Sequence, residues 1–279
     1  MLSVTREGFR KYLINRSKPW KYEHIVELMK EVLKEDEYND MYGRIRMREA
    51  LINIFPDEKI PCEHTINKIM QKANINNHLR KPKGITKRDP NAVPSEDLLK
   101  RDFKASKPLE KCITDITEIP AKDRKLYVSA IFDCYDLKVL GIEMRDNMKA
   151  DLCVQTLKNA YISNPGIRGC KMHSDQGKQY SSNVYRHQIK IYGIQQSMNS
   201  FGGRCHDNAR CESMWARMKE ELLYGRYDTT KMTINELKQL IWRYFMSYWN
   251  NRRICTANGG LPPRLKEQKY YDTLKDNNK

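Results

Sequence analysis

Residues 111–144 read KCITDITEIPAKDRKLYVSAIFDCYDLKVLGIEM, and the fold turns on them. Three runs in this stretch, Lys111 to Ile119, Leu126 to Asp133 and Lys138 to Met144, are separated by short polar turns. They read as consecutive strands of a meander. Further along, Ala150, Val154, Leu157 and Tyr161 mark one face of a helix near 149–162. A short strand is expected at 170–173, a helix near 181–191, and two long helical segments at roughly 207–224 and 233–249. Mixed strand and helix order implies an α/β layer architecture, a mixed sheet flanked by helices.

Toward the amino terminus, residues 22–35 place Ile25, Leu28, Met29, Val32 and Leu33 on one apolar helical face. A second helix is expected around 42–54, and a third after Thr65, carrying Ile66, Ile69, Met70 and Ala73. Three short helices fit a helix-turn-helix-like unit, and equally a small helical domain that only docks on its neighbour. Between Arg80 and Lys111 lie ten Lys and Arg, five acids and four prolines. Proline holds such a stretch in extended or turn conformations, so it reads as a linker. The expected organisation is a helical, helix-turn-helix-like domain over 1–80, a basic, proline-containing linker over 81–106, a mixed α/β core with carboxyl-terminal helices over 107–265 and a basic tail over 266–279.

Composition narrows the function. The 279 residues carry 51 Lys and Arg against 35 Asp and Glu, a net charge of +16, with 39% hydrophobic and 31% charged residues. That is a folded protein with a very polar surface, neither a disordered tail nor a small stapled scaffold. The surplus is +6 up to residue 110 and +10 beyond it, so a polyanion would contact both halves. Such a surplus attracts nucleic acid, because each neutralised phosphate releases condensed counterions. The eight cysteines show no CxxC pair and read as reduced thiols. Cys205, His206 and Cys211 lack a fourth ligand and fit zinc poorly. No run approaches the ~18 apolar residues of a membrane span, and the start lacks a signal peptide. The expected location is the cytoplasm, on the nucleoid when bound, with no membrane partner.

Three carboxylates stand out. Asp115 lies between Ile113 and Thr117 on one face of a strand, where aspartate is depleted; Asp133, ending the second strand, looks just as plausible. Asp175 follows the short strand at a carboxyl end, where open α/β sheets place ligand groups, or is an ordinary turn residue. Glu212 sits beside the inward stripe Cys211, Met214, Trp215, Met218 and Leu222 of a helix that Asp207 or Asn208 can cap. Lys219 lies two turns on, about 10 Å away on nearly the same face. Brought together, three carboxylates would repel one another without cations, and hard oxygen ligands suit Mg²⁺ or Mn²⁺. Spacing alone does not show that they converge.

The motifs add a family. ThrAspIleThr at 114–117, LYVSAIFD at 126–133, HisSerAspGlnGly at 173–177 with Gln179-Tyr180-Ser181-Ser182, Ser197-Met198 and AspAsnAlaArgCysGluSer at 207–213 follow in order. With these the chain resembles the integrase-core transposases of insertion sequences, in particular the second-frame proteins of the insertion sequence three family. Tyr248-Trp249-Asn250-Asn251-Arg252-Arg253, Pro262-Pro263 and Tyr42-Gly43-Arg44-Ile45 extend the resemblance to about 220 of the 279 residues. It implies an RNase H-like core in which Asp115, Asp175 and Glu212 form a metal-binding triad holding two Mg²⁺ or Mn²⁺ ions. Lys219 would contact DNA at the reacting end. His173, Tyr180, Asp207 and Asn208 would support the site or position DNA. The implied reaction is attack by water to expose a 3′-hydroxyl at the element end, then attack of that hydroxyl on a second phosphodiester. DNA ends and target, further copies of the chain and a first-frame segment with its own helix-turn-helix are the implied partners.

The interval between Asp175 and Glu212 holds 36 residues, one more than the family pattern usually has; a loop absorbs one residue, whereas a helix would turn Glu212 away. Arg252 and Arg253 read as further DNA contacts or, equally, as a solvated helix end. Trp242, Tyr244, Phe245, Tyr248 and Trp249 fall at helical spacing and read as core rather than as base-stacking platforms. The competing reading is a DNA-binding or regulatory protein in which the acidic triad has no catalytic duty.

Overall fold

The computed structural model describes residues 5–16, 20–75, 97–99, 102–198 and 209–276. The chain divides into two units, Met1–Asn77 and His78–Lys279.

The first unit is helical: α1 (Arg6–Arg16), α2 (Glu23–Glu35), α3 (Arg44–Ile54) and α4 (Glu63–Lys72). Ile25, Leu28, Met29 and Val32 of α2 are buried, as their spacing requires, and α3 packs against both α2 and α4. Asp36 ends α2, its carboxylate accepting from Tyr38 N at 3.2 Å, and Asn39 Nδ2 donates back to Val32 O at 2.7 Å. The spacing did not announce α1, whose Phe9, Tyr12, Leu13 and Ile14 stay exposed.

The second unit is built on a five-stranded sheet, β1 (Lys111–Pro120), β2 (Lys125–Asp133), β3 (Val139–Arg145), β4 (Lys171–Ser174) and β5 (Gln195–Met198), in the order β3-β2-β1-β4-β5. The three meander strands pair antiparallel, whereas β1–β4 and β4–β5 are parallel. The crossovers run through α5 (Ala150–Ser163), α6 (Lys178–Ser181) and α7 (Asn183–Ile191). On that face Cys112, Ile131 and Leu140 share a core with Leu157, Ala160, Tyr185 and Ile189. Gly141 lets α5 approach β3, since a Cβ there would lie 2.6 Å from Ala160 N.

The opposite face receives α8 (Ala209–Met218) and α9 (Ile234–Trp242). Both helices widen into π turns, over Lys219–Leu223 and Arg243–Trp249. Thr233 and Glu236 start α9 with a reciprocal capping box, which satisfies two otherwise unpaired amides. The last element is α10 (Pro263–Asp276), so the expected tail over 266–279 is helical as far as Asp276. Lys138 Nζ bonds both oxygens of Glu267 at 2.8 and 2.7 Å, tying α10 to the β2–β3 turn. The expected linker also ends early: Leu98 N donates to Ser197 Oγ at 2.9 Å, and Lys111 Nζ pairs with Asp102 at 2.9 Å. Most of that linker lies outside the described residues. Of the carboxyl-terminal aromatics, Tyr244, Phe245, Tyr248 and Trp249 are core, while Trp242 is 56% exposed.

Candidate active site

Asp115 stands in the central strand β1, opposite Ala130 of β2. The parallel register of β1 and β4 sets Ile113 opposite His173, and continuing it two residues brings Asp115 level with Asp175, the first residue past β4. Register partners point to the same face of a sheet. Asp175 is anchored by its own turn, Oδ1 accepting from Gly177 N at 2.9 Å. Burial holds the Asp115 carboxyl well above the usual carboxylate range, with further upward pressure from Asp175 and then Glu212. Asp175 is raised as well, by burial, against the opposing pull of the Gly177 amide and His173. These are two acids sharing one low-dielectric place.

Glu212 is exposed on the first turn of α8, and its charge reaches Asp115. Among the described residues, no three His, Cys, Asp or Glu side chains stand close enough to hold one ion. The structure therefore brings Asp115 and Asp175 together and leaves Glu212 within electrostatic reach, where mutual repulsion and hydration keep it in solvent. Arg210 pins the helix that carries Glu212, donating to Phe103 O at 2.8 Å and Cys134 O at 3.1 Å. Lys219, half-buried at the first π turn, has its pKa lowered by burial, against the opposing fields of Asp115 and Glu118. The candidate cation thus lies within the field of Asp115.

Asp133, the plausible decoy, is structural: it accepts from Leu109 N at 2.7 Å and Tyr135 N at 2.8 Å. His173 is buried, its Nδ1 2.9 Å from Ser197 Oγ and its ring edge-on to Phe103, so it braces β4 against β5. Tyr180 is buried with its hydroxyl 3.4 Å from Thr114 Oγ1. Thr114 points away from Asp115 along the strand, so Tyr180 underpins the opposite face. Asp207 and Asn208 lie outside the described residues. Arg252 is exposed. Arg253 corrects the expectation of a DNA contact: it is 2% exposed and pairs with buried Glu221 at 2.6 Å. A basic doublet at a helix end looks solvated in sequence, but the turn buries its second member. Sequence reasoning missed Arg210 and Glu221, whose partners are remote, and read Trp215 only as packing.

A family model described as the integrase core domain matches residues 105–202. The chain is 35% identical over 170 residues to an uncharacterized transposase-like protein of Haemophilus influenzae, a match covering 61% of this chain and 76% of that one. It is 29% identical over 268 residues to the putative transposase InsK of insertion sequence element IS150 from Escherichia coli, covering 96% of this chain and 91% of the relative. Among solved structures, the HTLV-2 integrase catalytic core domain in complex with magnesium aligns with a TM-score of 0.40 at 13% identity, covering 58% of this chain and 98% of that one. The mixed sheet and the matched family define an RNase H-like integrase core of the polynucleotidyl transferase type. The chain belongs to the IS3 family of insertion-sequence DNA transposases. Among the described residues, no helix is long and apolar enough to cross a membrane.

Proposed function

We propose that Asp115, Asp175 and Glu212 are the carboxylates with which this transposase cuts and rejoins DNA, and that Lys219 holds a phosphate of the reacting end. The observation that carries this reading is the β1–β4 register, which sets Asp115 level with Asp175 on one sheet face, with Glu212 on the first turn of the helix α8 that packs against β1. The donor set fits a hard divalent cation: all-oxygen ligands whose crowding a positive charge would relieve. Two Mg²⁺ or Mn²⁺ ions bound there would supply Lewis-acid stabilisation of the phosphoryl group and activation of the attacking hydroxyl. Asp115, within the central strand β1, and Asp175, just past the end of β4, hold that position, and Glu212 closes it from the more adaptable helix. Lys219, partly desolvated, regains a counter-charge when a phosphate arrives. Arg252 adds a second phosphate contact, whereas His173 and Tyr180 keep the strands beneath the carboxylates in place.

Water attacks the phosphodiester at the element end, releasing a 3′-hydroxyl that attacks a second phosphodiester and displaces its 3′-oxygen. The chain does this on DNA, as several copies together with a first-frame segment. Replacing Asp175 by Ala tests the reading. The expected result is loss of Mg²⁺-dependent cleavage and joining with DNA binding retained; transposition at the wild-type level would contradict it and leave a DNA-binding regulator.

A further inference from the structure

Trp215 lies one turn beyond Glu212 on the inward side of α8 and is 4% exposed. Its indole meets the rings of Phe132 and Phe245 edge-on, at centroid separations of 5.4 and 5.8 Å, and those two rings meet each other at 5.8 Å. This aromatic triangle fixes the direction of the indole. Its Nε1 is buried and has no partner at full hydrogen-bond geometry, although a buried indole N–H usually finds one. Phe132 sits opposite Ile113 in the β1–β2 register, so the triangle lies on the face, and two residues from the place, where Asp115 projects. The Asp115 carboxylate is the side-chain acceptor that the indole N–H approaches on that face. A phenyl ring would keep the aromatic edge contacts at the cost of some buried volume; what tryptophan alone adds is a donor.

We propose that Trp215 is a positioning residue of the catalytic centre: its N–H holds one oxygen of Asp115, fixing the rotamer that turns the other oxygen toward Asp175 and Glu212. This rests on the reading of Asp115 as a cation-binding carboxylate. A donor locked by packing has its orientation set before any ion arrives, and partners of this kind change metal affinity roughly 10–100-fold.

The test uses the full chain with Trp215→Phe, which keeps an aromatic ring and loses the N–H, and Trp215→His, which keeps a ring donor. Mn²⁺ binding is followed by the paramagnetic resonance of the free ion, folding by thermal melting, and the Trp215 indole proton by NMR. The expected result is Mn²⁺ affinity lowered about tenfold in Trp215→Phe, with a cooperative though lower melting transition, DNA binding close to wild type and partial recovery in Trp215→His. The indole proton should move upfield in Asp115→Ala, a readout that survives even if Trp215→Phe does not fold. Undiminished Mn²⁺ affinity in folded Trp215→Phe, or an indole proton indifferent to Asp115→Ala, overturns the proposal. Asp115→Ala binding Mn²⁺ as tightly as wild type would overturn the ligand reading itself, whereas loss there without loss in Trp215→Phe removes only the role of Trp215.

Discussion

Arg253 gives its guanidinium to Glu221 as a fork, Nε to Oε2 at 2.8 Å and Nη2 to Oε1 at 2.6 Å, while the Tyr244 hydroxyl donates to Oε2 at 2.8 Å. The Trp249 ring lies 4.3 Å from the guanidinium carbon. Removing one partner of such a pair leaves a buried charge, so Arg253→Met should cost about 3–5 kcal/mol in urea unfolding, and Arg253→Lys should not restore the fork. An unchanged midpoint would make the pair dispensable. Asp136 and Asp133 show the opposite balance, because burial raises their pKa values to about 7 and about 6. Both lie above the ordinary 3.8, so their contribution to stability is fully present below about pH 4 and lost as pH rises through the folded values. Asp136→Asn should therefore flatten the decline of melting temperature between about pH 4 and about pH 8; parallel curves would refute this. By the same physics Asp115 and Asp175 must release protons to accept a cation, so half-saturating Mg²⁺ for cleavage should fall as pH rises.

Gly141 is the place where one element constrains another. An added Cβ would meet Ala160 N at 2.6 Å and Thr156 O at 2.7 Å, both backbone atoms of α5 that do not yield locally. Gly141→Ala should destabilise by about 1–3 kcal/mol, with the first loss of amide-exchange protection in α5. The meander and α2 were legible because alternation and a 3.6-residue stripe survive in the buried residues themselves. β5 was not, since Gln195-Gln196-Ser197-Met198 alternates nothing apolar and pairs only because β4 is beside it. Nor was α10, which docks through polar groups such as Lys266 Nζ on Tyr135 O at 2.7 Å. Asp115, Asp175 and Glu212 were singled out through motif likeness, not pattern. Arg210 and Trp215 act through Phe103, Cys134 and Asp115, which only the folded sheet brings near.

At the scale of the molecule, +16 of charge on a chain with an integrase core implies a large counterion-release term. DNA affinity should fall linearly in log–log plots against salt, and Asp175→Ala should leave that slope unchanged while abolishing cleavage; a changed slope would place Asp175 in DNA binding instead of catalysis. The carboxylate pair, with Glu212 waiting on α8, is the claim on which the catalytic reading depends. Anomalous diffraction from crystals of the full chain soaked in Mn²⁺ tests it most directly. The account predicts a peak in contact with the carboxylates of Asp115 and Asp175, with Glu212 turned toward it. Manganese bound only elsewhere, with both aspartates out of its reach, would contradict it.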